Sequence, residues 1–290
     1  MKDAFPIYSI KNFETLANSD VFYANQLNSH VKTHHFTEFP HKHDFYLTVL
    51  ITHGIGRHEV DFESYNAERG VLFMLKPGQM HYWKFSDDIE GFVFFHNANF
   101  FDEGSLTTSI KDFEFFASLQ NPPVVHLSGE VLHSVENSMN ELVEEYTNEH
   151  SYKWTKIRAL MNLIYIEVGR NYTPIYHIDS QTYLTKVRQF EALIEVNFKS
   201  MKFARDYASQ LNISEKHLNR IVKNCLNKTS TSMIQDRVLL EAKRMLMHSK
   251  LNVSEISAEL RFSESSYFIR FFKQKTGITP LGFVKQYTRN

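Results

Sequence analysis

The chain has 290 residues, 42% of them hydrophobic, and one cysteine, a composition that allows two packed domains and excludes an internal disulfide. No apolar run is long enough for a transmembrane helix and the N-terminus lacks an apolar signal core, so we expect a cytoplasmic protein without a membrane partner. The net charge of −1 divides unevenly, because residues from Gln181 onward carry 19 Lys and Arg against 9 Asp and Glu, whereas the first 180 residues carry 13 against 24.

Short β-rich runs separated by turn signals extend from Phe39 to about Phe101. Glycine and proline interrupt the runs, for example in the segments HGIG and KPG. The predicted strands cover residues 45–51, 57–62, 71–75, 81–85 and 91–96. Many short strands with such turns predict a small β-barrel or sandwich.

Two histidine-containing motifs lie among these strands, PHKH at 40–43 and G-x6-PG-x2-H at 70–81. Together they resemble the two motifs of the cupin barrel. In cupin enzymes three histidines and a glutamate surround a metal, and the resemblance puts His41, His43 and His81 at the histidine positions.

The glutamate of the cupin metal site has no counterpart, because Leu47 and Thr48 stand at the two positions where it would fall. A divalent metal site wants three or four protein ligands, in many cases with a carboxylate among them. We therefore expect no metal and no other cofactor, and the three histidines are the ligands available if a metal does bind.

Two long helices are predicted after the strand-rich segment. Apolar residues recur at intervals of three and four over 131–146 and over 154–168, with Leu142 and Leu160 on the two stripes, and a short connection predicts an antiparallel hairpin. Two alternatives stay open, a dimer contact through these stripes and packing on the chain's own barrel only. Residues 171–180, with a proline and few charges, form the candidate linker.

The last hundred residues contain one pattern twice. In the second copy Asn252 and Glu255 form a predicted capping box, Ser263 is the expected cap of the next helix, Gly277 its left-handed end, and Pro280 a stop. The first copy repeats this order with one residue fewer. The pattern predicts two helix-turn-helix motifs, at about 203–226 and 253–276.

A helix predicted over 231–249 connects the motifs. At 1.5 Å per residue it is about 28 Å long, close to the roughly 34 Å between successive major grooves on one face of DNA. The residues from Gln181 onward carry a net charge of +10 and those before it −11. A basic segment with such motifs is typical of a protein that binds the phosphate backbone of DNA. The alternative, that the charge belongs to an ordinary solvated surface, is less favoured because the positive excess is confined to one end of the chain.

Three segments of this region, 218–223, 237–246 and 261–280, resemble the AraC/XylS family of transcription regulators. That family usually has glycine where this chain has Arg261 in the second turn, and a left-handed arginine there costs about 1 kcal/mol. The resemblance implies an N-terminal barrel that binds a small-molecule effector without metal chemistry, and a homodimer formed through the helix hairpin.

The resemblance also implies which residues meet DNA. By motif position the DNA-reading residues are Lys216, Asn219, Arg220, Ser265, Ser266 and Arg270. We expect base readout by Arg220 and phosphate contact by Arg270. The expected effector pocket is apolar or weakly polar, and its residues are Phe45, Leu47 and Phe73 inside, with His43 and His81 near its mouth.

The sequence therefore predicts an α+β protein in three parts. They are a cupin-like effector-binding domain at 1–127, a helical hairpin with linker at 128–180, and an all-α DNA-binding domain at 186–290. The expected function is sequence-specific transcription regulation without enzyme activity, with double-stranded DNA, a small effector and a second copy as partners. A cupin metalloenzyme with an appended DNA-binding module and a partner-binding adaptor that uses the hairpin are the alternatives.

Overall fold

The structure, a computed structural model, describes residues 6–13, 20–34, 39–103, 109–118, 121–174 and 181–287. The chain divides into two compact units, Phe5–Ile175 and Tyr176–Asn290. Of the candidate linker, residues 175–180 lie outside the described part of the chain. No helix among the described residues combines the length and the apolar character that a bilayer crossing needs.

Strands dominate the first part of the N-terminal unit. They are β1 Ile7–Tyr8, β2 Phe22–Gln26, β3 Lys42–His43, β4 Tyr46–His53, β5 Gly56–Val60, β6 Glu63–Ala67, β7 Val71–Leu75, β8 His81–Phe85, β9 Glu90–His96 and β10 Val124–His126. A five-stranded antiparallel sheet has the order β10-β7-β4-β9-β2, a three-stranded sheet the order β6-β5-β8, and β1 pairs with β3.

This arrangement confirms the cupin-like fold but differs from a closed barrel. Among the described strands the two larger sheets share no hydrogen-bonded edge, and an isolated bridge between His41 and His81 joins the short pair to the three-stranded sheet. The unit is therefore an open double sheet.

The central strand β4 is buried on both faces. Successive side chains of a strand point to opposite sides, so Leu47 and Val49 lie in one apolar cluster while Tyr46 and Leu50 lie in another. The first cluster fills the space between the sheets, and the second needs a cover on the outer face of the larger sheet.

The helix hairpin provides that cover. The helices of this unit are α1 Leu27–Thr33, α2 Ala98–Asp102, α3 Glu114–Ala117, α4 Gly129–Thr147 and α5 Lys153–Asn171. Leu142 and Leu160 are only 0% and 6% exposed, and they belong to the cluster that contains Leu50 of the sheet. The expectation that their stripes form a dimer seam is therefore wrong, because an apolar sheet face within the same unit occupies them.

The C-terminal unit is entirely helical in its described part. Its helices are α6 Gln181–Asn197, α7 Ala204–Gln210, α8 Glu215–Leu226, α9 Ser230–His248, α10 Val253–Glu259, α11 Ser265–Thr276 and α12 Pro280–Tyr287. The pairs α7–α8 and α10–α11 are the two predicted helix-turn-helix motifs, and α9 connects them. Its 19 residues span about 28 Å, as predicted.

Both turns have the expected backbone conformation. Asn212 and Arg261 occupy the same position in the two motifs and have φ of 53° and 56°. The capping box is present, since Asn252 N–H donates to Glu255 at 2.6 Å and Glu255 N–H to the Asn252 side chain at 3.0 Å. Gly277 ends α11 with φ of 81°.

Two predicted helix signals are wrong. Ser263 does not cap α11, because the inserted residue moves the helix start to Ser265, and Glu264 stands before it without a side-chain cap. Pro280 is not a stop but the first residue of α12. Proline suits that position, since its fixed φ is helical and its missing N–H has no helical partner there.

Candidate functional site

The first recognition helix, α8, separates buried apolar residues from exposed cations. Leu218 and Val222 are fully buried, whereas Lys216, Arg220 and Lys223 are exposed. The cations recur at intervals of three and four residues and share one face. This face therefore presents positive charge where a duplex can approach the helix.

Asn219, the third predicted reading residue of this helix, is engaged within the protein. Its Oδ1 accepts hydrogen bonds from the backbone N–H of Ser230 at 3.0 Å and from the Ser230 hydroxyl at 3.3 Å. Bidentate recognition of adenine uses both atoms of the amide. While this contact holds, Asn219 connects α8 to the start of α9, which leaves Lys216 and Arg220 as the better placed readers.

The second recognition helix, α11, presents fewer charges at its start. Ser265 is half-buried, and the Ser266 hydroxyl donates to the Glu264 carboxylate at 3.1 Å. Arg270 is exposed, and its guanidinium carbon lies 5.8 Å from the ring centre of Tyr267, which is 51% exposed. Glu264 and Tyr267 were not among the predicted contacts, although an exposed aromatic in a recognition helix is a usable signal.

The predicted effector residues lie deep in the N-terminal unit. Phe45, Leu47 and Phe73 are 0–1% exposed and belong to the cluster between the sheets. His43 and His81 are each 1% exposed. The two histidines, on β3 and β8, are therefore buried inside the unit and do not lie at the open mouth of a pocket, where they were predicted to lie.

Three imidazoles surround that of His81. Its ring centre lies 4.3 Å from that of His41, 4.9 Å from that of His43 and 5.1 Å from that of His58. His58 was not predicted to belong to this cluster, although the alternation of β5 puts it on the buried face with Val60. The set joins residues from three strand segments.

The hydrogen bonds of this cluster define its protonation. A carbonyl only accepts, so His43 Nδ1 donates to the Phe45 carbonyl at 2.7 Å and its Nε2 is left with a lone pair. His58 Nε2 and His81 Nδ1 share a hydrogen bond at 2.8 Å. Burial lowers the pKa of His43 and of His58 to about 3, so these rings are neutral at pH 7.

Three nitrogens of the cluster have no hydrogen-bond partner among the described residues, namely His43 Nε2, His58 Nδ1 and His81 Nε2. In the part of the chain that is described, no group of three or more His, Cys, Asp or Glu side chains is arranged to hold a metal ion. The two positions at which the cupin pattern would place a glutamate add no ligand, since Leu47 is apolar and the Thr48 hydroxyl contacts Tyr165 of the hairpin. That no metal binds remains a prediction.

A second buried network joins the larger sheet to the hairpin. His96 Nδ1 donates to the Asn97 carbonyl at 2.9 Å, so its Nε2 accepts from the Tyr165 hydroxyl at 2.8 Å. The Thr48 hydroxyl lies 3.1 Å from the same Tyr165 oxygen and donates to it. Burial lowers the pKa of His96 to about 4 and raises that of Tyr165. All three side chains thus have hydrogen-bond partners where β4, β9 and α5 meet.

The outer face of α5 exposes apolar side chains. Leu163 is 54% and Ile166 41% exposed, and Ala159 lies one turn before them on the same face. These three residues, the outer α5 face, are distinct from the buried stripe that contacts the sheet. The sequence pattern alone did not distinguish the two faces of this helix.

Two family models match the chain. An AraC-like ligand binding domain matches residues 28–151, and a helix-turn-helix domain of the HTH_18 type matches residues 207–286. The uncharacterized HTH-type transcriptional regulator YdeC of Bacillus subtilis is 25% identical over 255 residues, which are 84% of this chain and 85% of that protein. The HTH-type transcriptional activator RhaS of Escherichia coli is 23% identical over 253 residues, 84% of this chain and 86% of that protein.

Among solved structures, ToxT of Vibrio cholerae with a bound unsaturated fatty acid aligns over 93% of this chain and 97% of its own. The sequence identity is 13% and the TM-score 0.42. At these values no detail of that protein transfers to this one.

Proposed function

The chain belongs to the AraC family of transcription regulators, and we propose that it reads specific DNA sequences through α8 and α11 while a small effector binds in its N-terminal unit. The carrying observation is the pair of helix-turn-helix motifs held by one helix of 19 residues. Their spacing suits successive major grooves, and residues from Gln181 onward supply the net charge of +10 for phosphate contact.

We propose that Arg220 and Lys216 read bases and that Lys223 meets the backbone beside them. Arginine donates two parallel hydrogen bonds to guanine O6 and N7. A lysine at the rim of the contact binds phosphate instead, so its loss lowers the affinity for all sequences alike. In the second motif Ser265, Ser266 and Arg270 are the proposed contacts, with Arg270 on phosphate.

The test compares two alanine variants on a duplex that the wild-type protein selects from a random pool. Arg220→Ala should lose about 1–3 kcal/mol of discrimination at one base pair. Lys223→Ala should weaken binding to all sequences equally and reduce the slope of log affinity against log salt concentration by about 1. If Arg220→Ala weakens every duplex by the same factor, base readout by this residue is refuted.

We propose that the effector meets the histidine cluster between the sheets, at His43, His81 and the added His58, beside Phe45, Leu47 and Phe73. A buried polar atom without a partner costs about 1–3 kcal/mol, so a ligand that hydrogen-bonds to these nitrogens gains affinity. Because the apolar residues are closely packed, we expect side chains to move when the effector enters.

A thermal-shift screen with a metabolite library tests this site, since a ligand of the folded state raises the melting temperature. His81→Phe should abolish the shift that a hit produces in the wild type, whereas His126→Phe, at an exposed position of β10, should leave it unchanged. A shift that survives His81→Phe would put the effector elsewhere.

We propose a homodimer that forms through the outer α5 face. Exposed apolar side chains one turn apart are typical of helix-to-helix contacts, and the buried stripe is unavailable. Leu163→Glu with Ile166→Glu should give a monomer in sedimentation at micromolar concentration. Lys223→Glu, a charge change in the other unit, is the control. A wild-type protein that stays monomeric with and without DNA would contradict the proposal.

We propose functional boundaries at 1–127, 128–180 and 186–290. The last segment has its own buried residues and the basic excess, so a fragment of residues 186–290 should fold and bind DNA. Helical circular dichroism and a gel shift at low salt measure this. A folded fragment that does not bind would contradict the division.

We further propose that the protein works in the cytoplasm, without a cofactor and without enzyme activity. The alternative, a cupin metalloenzyme with an appended DNA-binding module, requires a metal in the histidine cluster. Metal analysis of the purified protein distinguishes the two, because a stoichiometric transition metal would favour the enzyme.

A further inference from the structure

We propose that His217 positions Arg220 and so contributes to the sequence specificity of the first helix-turn-helix motif, without touching a base itself. The proposal rests on the reading role of Arg220 proposed above. It concerns a residue that is not among the predicted DNA contacts.

The hydrogen bond between these side chains has a defined direction. Arg220 Nη2 lies 2.8 Å from His217 Nδ1. A guanidinium only donates, so Nδ1 accepts and the proton of the neutral ring sits on Nε2. The residues are three apart on α8, a spacing at which helix side chains meet. The bond therefore holds the arginine head against the flank of the helix.

Both the backbone and the ring of His217 have contacts that hold the residue in place. The His217 backbone N–H donates to the Ser214 hydroxyl at 3.2 Å, which fixes the first turn of α8. On its other side the ring of Tyr183 from α6 meets it edge to face, with ring centres 6.3 Å apart and planes at 90°. His217 is half-buried, whereas Arg220 is exposed. A partly fixed ring thus anchors a side chain that would otherwise sample many rotamers.

This anchoring leaves the recognition edge of Arg220 available. A guanidinium has five N–H donors and the bond to His217 uses one. Guanine needs two of the others for its O6 and N7. Ordering a long side chain before binding removes part of the entropy loss on binding, and it also restricts which base the head can reach. Loss of His217 should therefore reduce discrimination.

The experiment uses the full chain and a duplex that the wild type selects from a random-sequence pool. Affinities are measured on this duplex and on a copy changed at the base pair whose readout Arg220→Ala abolishes. His217→Leu keeps bulk beside Tyr183 but has no acceptor, and His217→Gln keeps a neutral acceptor. Circular dichroism checks that each variant is folded.

We expect His217→Leu to reduce the affinity ratio of the two duplexes about 2- to 5-fold and His217→Gln to retain most of it. If His217→Leu does not fold, His217→Ala takes its place, since it also lacks an acceptor and the same reduction of the ratio is expected. In the Arg220→Ala background neither change at His217 should alter the ratio further, as a double-mutant cycle requires for a residue that acts through another.

An equal loss of affinity on both duplexes would show that His217 contacts phosphate, and it would overturn the proposal. The same follows if His217→Leu still weakens binding by an unchanged factor when Arg220 is absent. A wild-type protein that enriches no sequence would refute the proposed function itself, and the positioning role with it.

Discussion

Replacing Arg261 by glycine should stabilise the C-terminal unit. Arg261 has φ of 56°, and its left-handed conformation is held by two backbone hydrogen bonds, from its own N–H to Ala258 at 2.9 Å and from Phe262 to Ser257 at 3.0 Å. A residue with a Cβ loses about 1–2 kcal/mol in this region. Glycine avoids that loss but gains about 0.4–1 kcal/mol of freedom in the unfolded chain. The difference is a net stabilisation of about 0.5–1 kcal/mol.

A second effect acts in the same direction. Burial, and then the positive charge of Arg261, lowers the pKa of the Lys202 ammonium to about 8. Removal of the arginine takes away one of the charges that oppose protonation of this lysine. At neutral pH the gain is small, because Lys202 is only partly shielded from water.

The two units can be followed separately. The only tryptophans of the sequence, Trp83 and Trp154, lie in the N-terminal unit, so their fluorescence reports that unit alone. The helical signal at 222 nm includes the C-terminal unit. We expect Arg261→Gly to raise the midpoint of the thermal transition measured at 222 nm by about 2–6 °C. The transition measured by tryptophan fluorescence should stay unchanged.

Asn212→Gly is the matched control, since Asn212 has the equivalent turn position with φ of 53°. Asparagine tolerates the left-handed region better than arginine does, so its replacement should change the midpoint less. The reasoning is refuted if Arg261→Gly lowers the midpoint, or if both variants gain equally.

Two further predictions concern the N-terminal unit. Since burial lowers the folded-state pKa of His43 and His58 to about 3 from the ordinary 6.5, the unfolded chain binds protons first. The free energy of unfolding therefore has its full value above pH 6.5. As the pH drops toward 3, each of the two histidines should lower it by up to about 1.4 kcal/mol per pH unit. Urea midpoints from tryptophan fluorescence at pH 7.5 and 5 measure this, and equal midpoints would contradict it. Tyr165→Phe leaves buried His96 and Thr48 without their common partner and should lower the free energy of unfolding by about 2–3 kcal/mol. Tyr172→Phe, which loses one bond to a carbonyl at 2.8 Å, should lower it by about 1 kcal/mol, and equal losses would argue against a cooperative network.

Local features of the C-terminal unit were readable from the sequence because they depend on a few neighbouring residues. The capping box of Asn252 and Glu255 follows from side-chain chemistry within four positions. The left-handed Arg261 does not, because local sterics disfavour it, and it was expected only from the resemblance to a family that usually has glycine there. Ser263 shows the limit of such patterns, since a single inserted residue moves the helix start beyond the expected cap.

The amino-acid sequence by itself thus determined five strands of the N-terminal unit, the helix hairpin, the repeated motif with its connecting helix, the charge division and the chemical type of the exposed face of α8. Only the tertiary structure decided which face each element buries. Leu142 packs on its own sheet, which was one of the two alternatives left open for its stripe. The Asn219 side chain accepts a hydrogen bond from the start of α9, and His58 belongs to the buried cluster, and neither contact was predicted. The physical reason is that periodicity identifies an apolar or polar face of a helix or strand, whereas the partner of that face comes from residues distant in the chain.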